Sequence, residues 1–560
     1  MSDEPRGKGC AAAQPYHVHI HFTYYSRDVN LMTQFVTTSK CSKYLLRFVE
    51  YGRKLRKPLK RRWKILIGLA VVVFAFAAIW IIPHWVKVVA YRRMLLANGE
   101  KLEIGEVMPA PVPPEENGAD VIKKASAQFV LGGYPWTNMS PAMLLVAPGK
   151  AVVCFQQSDV RESDFTNSWS NVRAFMESNR PATESLRQIM KYPAIDFHLD
   201  YSSGMEMLLT NLSPLKLCVQ MLSSEAICDL HRGDTASATT NVCAMLSLAD
   251  DERDERTLIS QLVRMVMARI AAGPTWELLQ TTNLNDVELA ALQKSWERLE
   301  YIHAAENALL MERAGMESDI RRMRTSQKHF NDLATMGLGG PSNFVDSAKL
   351  VSTRYAWHYL WSYPDELRAL EGDQAILQAF RSVQTNQSFY SAYTNMSEQF
   401  ANLGIPLPEG DDFGLNLDID LPNLFSRSTP NLATAVYRAM AAEATKQTVV
   451  AAIALKRYQL KHGNYPSDLT ALVPEFVSSV PRDPVDGKPL RYRRNTDGTF
   501  LLYSIGFNGR DDGGDPALEK GSENPGYFDW PQPHSLDWVW PQPATPKEIQ
   551  YYYTHRPPNY

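Results

Sequence analysis

The sequence predicts a mainly helical chain. It should carry one transmembrane helix, an α-helical hairpin or repeat body, and a small α+β domain at the C-terminal end. Three observations predict this. One apolar run is long enough to cross a bilayer. Apolar residues recur at spacings of three and four through the middle of the chain. Near the C-terminal end, turn residues separate two short β-type runs.

The chain has 560 residues, 21% charged and 45% hydrophobic. That is ordinary globular composition, with length for two to four domains. Six cysteines at this length exclude a disulfide-scaffold mini-protein. The net charge of −3 is unevenly spread. Residues 1–64 hold 14 Lys and Arg against 4 Asp and Glu, a balance of +10, whereas the rest holds 44 against 57, a balance of −13. A basic tail before an acidic body argues against a nucleic-acid partner for the whole chain.

The charge break falls at the apolar run. Ile65 to Val86 contains no Asp, Glu, Lys or Arg. As a helix it would extend about 33 Å, against a hydrocarbon core of about 30 Å. Trp63, Trp80 and Trp85 stand near its ends, where amphipathic rings prefer the interface. A buried core helix is the alternative. The cations before the run (Arg53, Lys54, Arg56, Lys57, Lys60, Arg61, Arg62 and Lys64) outnumber Lys87, Arg92 and Arg93 after it. The positive-inside rule then puts residues 1–64 in the cytoplasm and the bulk of the chain outside it, in a bacterial periplasm. The expected partners are the lipid bilayer and an envelope protein.

The tail 1–64 reads as basic and poorly ordered, and the run 65–86 as the transmembrane helix. His17, His19 and His21 would share one face of a strand, which suits a transition metal or an ordinary polar surface. Residues 100–118, with Pro111, Pro113, Pro114, Glu115 and Glu116, read as a linker off the membrane.

Residues 119–400 form the expected helical body. Ser213–Pro214 opens a helix with an apolar stripe through Leu215, Val219, Leu222, Ala226 and Leu230. Gly233 should end it and Asp234 cap the next. Gly273–Pro274 should break or kink a third helix. Asn285 with Glu288 resembles a capping box, opening a helix expected to run on toward Arg324. Short connections make such helices pack antiparallel. The turn at Gly233 resembles the hairpins of tetratricopeptide-type solenoids, although no 34-residue period recurs. Cys218 and Cys228 lie too far apart on one helix to bridge each other. Either reaches Cys243 across the hairpin, but buried thiols are the expectation.

Residues 402–431, with Asp411, Asp412, Asp418 and Asp420 among prolines, read as an acidic loop. A helix should then run from about Asn431 to His462, opening a domain over 432–526. His462-Gly463-Asn464-Tyr465-Pro466 ends that helix. Pro481-Arg482-Asp483-Pro484 and Gly487-Lys488-Pro489 turn the chain, and Asn495-Thr496-Asp497-Gly498 joins two strands. Gly506-Phe507-Asn508-Gly509-Arg510-Asp511-Asp512-Gly513-Gly514 follows the second strand.

In this order and spacing the region resembles the soluble domain of the major pseudopilins of type II secretion systems. The resemblance covers about 80 residues. It implies a helix packed on a small antiparallel sheet, with calcium in the final loop. The implied ligands are Ser504, Asn508, Asp511, Asp512 and Asp515, closed by Asp529 or Asp537. Calcium takes 6–8 oxygens, which an acid-rich, Gly-rich loop supplies. Two features depart from the family: Asn508 stands where it has Asp, and no pseudopilin leader surrounds Ile65.

The tail 527–560 repeats Asp-Trp-Pro-Gln-Pro at Asp529 and, with an insertion, at Asp537. It is expected to pack on the preceding sheet, with a partner groove as the alternative.

No His-Glu-x-x-His, Gly-x-Ser-x-Gly, dinucleotide or Walker motif occurs, so no catalytic residue and no small-molecule substrate is predicted. The expected function is a membrane-anchored interaction or scaffold protein linked to secretion or envelope assembly. The alternative is an envelope hydrolase whose carboxylates, such as Asp196 or Asp200, converge from distant positions.

Overall fold

A computed structural model of the chain describes residues 61–132, 141–161, 166–334, 344–407, 421–520, 530–531 and 534–555. The histidines at 17, 19 and 21, most of the basic tail, most of the acidic loop and Asp529 lie outside the described residues. The chain divides into two units, Met1–Phe76 and Ala77–Tyr560. All packing described below belongs to the second.

Helix α1 (Arg61–Ala97) contains the apolar run and passes Pro83 without interruption. It is the one helix among the described residues long and apolar enough to cross a membrane. Most of its described side chains are exposed as far as Lys87, and Val88 and Leu95 are buried. The first residues of the segment expected as a linker are packed: Glu100 pairs with Arg313 at 2.8 Å and with Arg381 at 2.5 Å, and Leu102 and Val107 are buried. Pro111, Pro113, Pro114, Glu115 and Glu116 stay exposed.

The body then holds α2 (Ala119–Gln128), α3 (Trp169–Leu186), α4 (Leu212–His231), α5 (Thr235–Asp251) and α6 (Leu258–Leu279), with short turns joining α4 to α5 and α5 to α6. The predicted stripe of α4 is buried. Gly233 takes φ +80°, and Asp234 accepts the Ser237 N–H at 3.0 Å, so the hairpin turn forms as the sequence indicates. The helix α6 runs straight through Gly273–Pro274, where a break was expected. Gly273 sits against Ala142, where any Cβ would meet the Ala142 Cβ at 3.0 Å. That close packing holds the helix continuous.

Helix α7 (Asp286–Glu297) starts at Asn285, whose side chain accepts the Glu288 N–H at 2.9 Å. The single helix expected to reach Arg324 is two. The chain breaks at 298–301 and resumes as α8 (Ile302–Thr325). Two contacts explain the break. Lys446 donates to the Leu299 carbonyl at 3.0 Å, and the Glu300 carboxylate accepts the N–H groups of His303 and Ala304. Then come α9 (Gln327–Ala334), α10 (Phe344–Ala356), α11 (Ser362–Asn386) and α12 (Phe389–Leu403).

Helix α13 (Thr429–His462) carries the predicted apolar positions and is buried on most of its circumference from Ala433 to Leu455. Its alanines let the neighbouring helices approach closely. Strands β5 (Arg491–Arg494) and β6 (Phe500–Ile505) pair antiparallel across the predicted turn. The C-terminal tail does pack on this sheet: β7 (Asp537–Val539) adds antiparallel to β6.

The tail also goes further. Strand β8 (Gln542–Pro543) lies parallel to β2 (Lys150–Val152), which pairs with β1 (Leu144–Ala147). A second small ribbon joins β3 (Val160–Arg161) to β4 (Thr166–Asn167). Helix α14 (Pro546–His555) packs on β1 through Ile549, Tyr552 and Tyr553. The segments expected as separate body, C-terminal domain and tail therefore share one hydrophobic core. The four cysteines of the body are free thiols, three of them buried.

Candidate functional site

The C-terminal loop was the sequence's candidate metal site. Ser504 is buried on β6 and donates to Asp483 at 2.7 Å. Asp483 also accepts the N–H groups of Val485 and Ile505 and a guanidinium N–H of Arg491 at 2.8 Å. Burial pushes its carboxyl up to about 6 against those hydrogen bonds. Arg491 reaches Asp486 at 2.7 Å and Asp511 at 3.3 Å. Asp511 also accepts the Tyr503 hydroxyl at 2.9 Å. Asn508 donates to Asp512 at 2.9 Å, and Asp515 accepts the Ala517 N–H.

Of the two late Asp residues, Asp537 on β7 is the one among the described residues. It is fully buried and accepts N–H groups from Asp512, Gly514 and Asp515. Gly514, at φ +82°, makes that wrap feasible, since a Cβ there would meet Leu501 at 2.8 Å.

The implied ligands thus lie on β6, on the loop after it and on β7, and their side chains turn to different partners. Ser504 turns inward to Asp483, Asp511 faces a guanidinium, and Asp537 faces three N–H groups. Among the described residues no group of three acids, histidines or cysteines is placed to hold a metal. As placed, the described members of the set face protein partners rather than one another, and Arg491 occupies one side of Asp511.

A second feature was invisible in the sequence. Residues 250–256 read Asp-Asp-Glu-Arg-Asp-Glu-Arg, a run that ordinarily sits in solvent. Here Asp250, Asp251, Glu252 and Glu255 are buried. Arg298 pairs with Asp250 at 2.7 Å and with Asp251 at 3.3 Å. Asn211 donates to Glu252 at 2.9 Å, and the Tyr201 hydroxyl donates to Glu255. Burial pushes Asp251 up to about 7 and Glu252 up to about 8, and neighbouring acids add to both. The two acids of the hydrolase alternative take part in local turns. Asp196 pairs with His198 at 3.0 Å, and Asp200 accepts the hydroxyls of Ser202 and Ser203.

A cleft of ≈ 640 Å³ lies where α8, α11 and α13 meet the loop before Asp483. That is the size of ordinary ligand sites. Its walls alternate apolar side chains, such as Val450 and Phe389, with Ser478, Ser479 and Arg482. Lys446 pairs with Glu443 at 2.7 Å on its floor. Gln384 donates to Glu306 at 2.8 Å beside His303. These elements lie up to 180 residues apart, so no local pattern marks the cleft. No protein-family model, curated protein or solved structure matches this chain.

Proposed function

We propose that the chain is a single-pass, membrane-anchored interaction or scaffold protein. Its N-terminus is cytoplasmic, and its body, with the pseudopilin-like C-terminal segment, works in the periplasm of a bacterial envelope in support of type II secretion or envelope assembly. The cleft carries this reading. The helical body and the segment 477–484 build it together, and it offers hydroxyl and amide groups beside apolar walls. Such a surface suits an extended polypeptide better than a single reacting bond. Paired buried charges elsewhere, such as Glu100–Arg313, serve the fold.

The test is deletion in the encoding organism, complemented by the wild type, by Ser479→Trp, or by Asp196→Asn with Asp200→Asn. Loss of secreted proteins, restored by the wild type but not by Ser479→Trp, supports a cleft that binds a partner. Loss from the double carboxylamide variant alone would favour the hydrolase. An unchanged secreted set on deletion removes the secretion role.

A further inference from the structure

Helix α10 and the wider π-helical turn after it (Trp357–Trp361) have two unlike faces. The inner face is core. Trp357 is fully buried, with ring centroids 5.9 Å from Phe330 and 6.1 Å from Phe425. Arg354 donates to the carbonyls of Met323 and Arg324. The outer face is not covered. Val351, Tyr355 and Tyr359 follow at intervals of four and are 40, 51 and 50% exposed. The two tyrosine rings stack, 6.2 Å apart and 7° from parallel. Ala348, Lys349 and Ser352 complete the face, which carries no carboxylate among its described residues.

One hydrogen bond fixes the height of this face against α1. Trp80 Nε1 donates to the Leu360 carbonyl at 2.6 Å. Trp80 lies six residues before the end of the apolar run, about 9 Å along the helix. If the run spans a bilayer, Leu360 sits about 9 Å short of the outer end of the span, on the acyl side of the boundary with the headgroups. Interfacial helices bury their apolar face about 5–10 Å into that boundary. Tyrosine and tryptophan favour it, and a lysine beside them meets anionic headgroups. Exposed Ile82 and Trp85 continue the apolar surface on α1 itself.

We propose that the Val351–Tyr355–Tyr359 face is an interfacial anchor that seats the body on the outer leaflet, with lipid as its partner. The inference rests on reading α1 as membrane-spanning. It makes the body a fixture on the membrane surface rather than a module held at a distance.

The test places the photoreactive residue p-benzoylphenylalanine at Tyr355 or Tyr359 of the full chain. The protein is reconstituted in phosphatidylethanolamine–phosphatidylglycerol vesicles and irradiated, and intact mass reads the adducts. Phe74, 77% exposed in the apolar run, reports spanning, and Val287, 79% exposed on α7, reports background. Lipid adducts at Tyr355, Tyr359 and Phe74 but not Val287 are expected. Adducts at Phe74 without any at the tyrosines overturn the anchor and leave the spanning helix. A cross-linked dimer at the tyrosines in place of lipid overturns it in favour of a second copy. No adduct at Phe74 overturns the spanning reading, and the anchor with it.

Discussion

Trp276 Nε1 donates to the carbonyl of Pro541 at 2.9 Å, fully buried and across 265 residues of sequence. The bond ties the last strands of the chain to the last turn of α6. Trp276→Phe keeps the ring but strands that carbonyl. An unpaired buried acceptor costs about 1–3 kcal/mol, so the unfolding free energy should fall by about that amount and the denaturation midpoint with it. Removal of residues 530–560 should unfold the helical body as well as the sheet. Circular dichroism of the truncated chain in detergent checks this, and an unchanged helical melt would contradict the shared core.

Glu100 should be among the most sensitive single positions. Arg313 is fully buried and Glu100 nearly so. Burial alone would raise the Glu100 carboxyl, but hydrogen bonds from Arg381, Arg313 and Gln374 hold it down at about 2. Glu100→Gln removes the charge and leaves the Arg313 guanidinium buried without its counter-ion. Breaking a buried pair from one side costs about 3–5 kcal/mol. Thermal melts of this variant beside Glu103→Gln, whose Arg321 pair is exposed, make the comparison. Equal effects would sink the argument.

Stability should rise on mild acidification. Burial pushes Glu252 up to about 8, and Asp229, Asp251 and Glu277 up to about 7. An acid whose folded pKa is raised binds its proton more tightly in the folded chain. The stability it contributes is complete below its unfolded value and is lost as pH rises through about 7 to 8. The melting temperature should therefore climb between pH 9 and pH 6. Glu252→Gln should flatten the upper part of that curve. A melting temperature that falls across the window would contradict it.

Calcium should leave the melting temperature of the full chain unchanged. The loop oxygens are committed to Arg491, to Asn508 and to backbone N–H groups. Calorimetric titration of the metal-stripped chain, with melts alongside, checks this. A saturable heat with a rise in melting temperature would show the loop reorganising around the ion. Asp512→Asn and Asp515→Asn should then abolish the rise.

The legible parts are those whose cause is local. The apolar run, the Gly233–Asp234 turn, the Asn285 cap, the helix over 429–462 and the β5–β6 hairpin rest on residues within a few positions of one another. Caps, periodicity and turn chemistry act at that range, so they could be read directly. The order of motifs after His462 likewise pointed to a helix followed by a small sheet.

What only the tertiary structure decided depends on residues far apart. Asp250, Asp251, Glu252 and Glu255 are buried because Arg298, Asn211 and Tyr201 come to them. The helix expected to reach Arg324 breaks because Lys446 takes the Leu299 carbonyl. Pro274 is carried within α6 because Ala142 packs on Gly273. The tail joins two sheets because β2 offers it an edge. A charge or a proline has one meaning in water and another when a distant partner satisfies it, since burial without a partner is costly. The sequence determined the elements and their local ends. The partners that tertiary packing supplied decided which polar groups went inside and where the cleft formed.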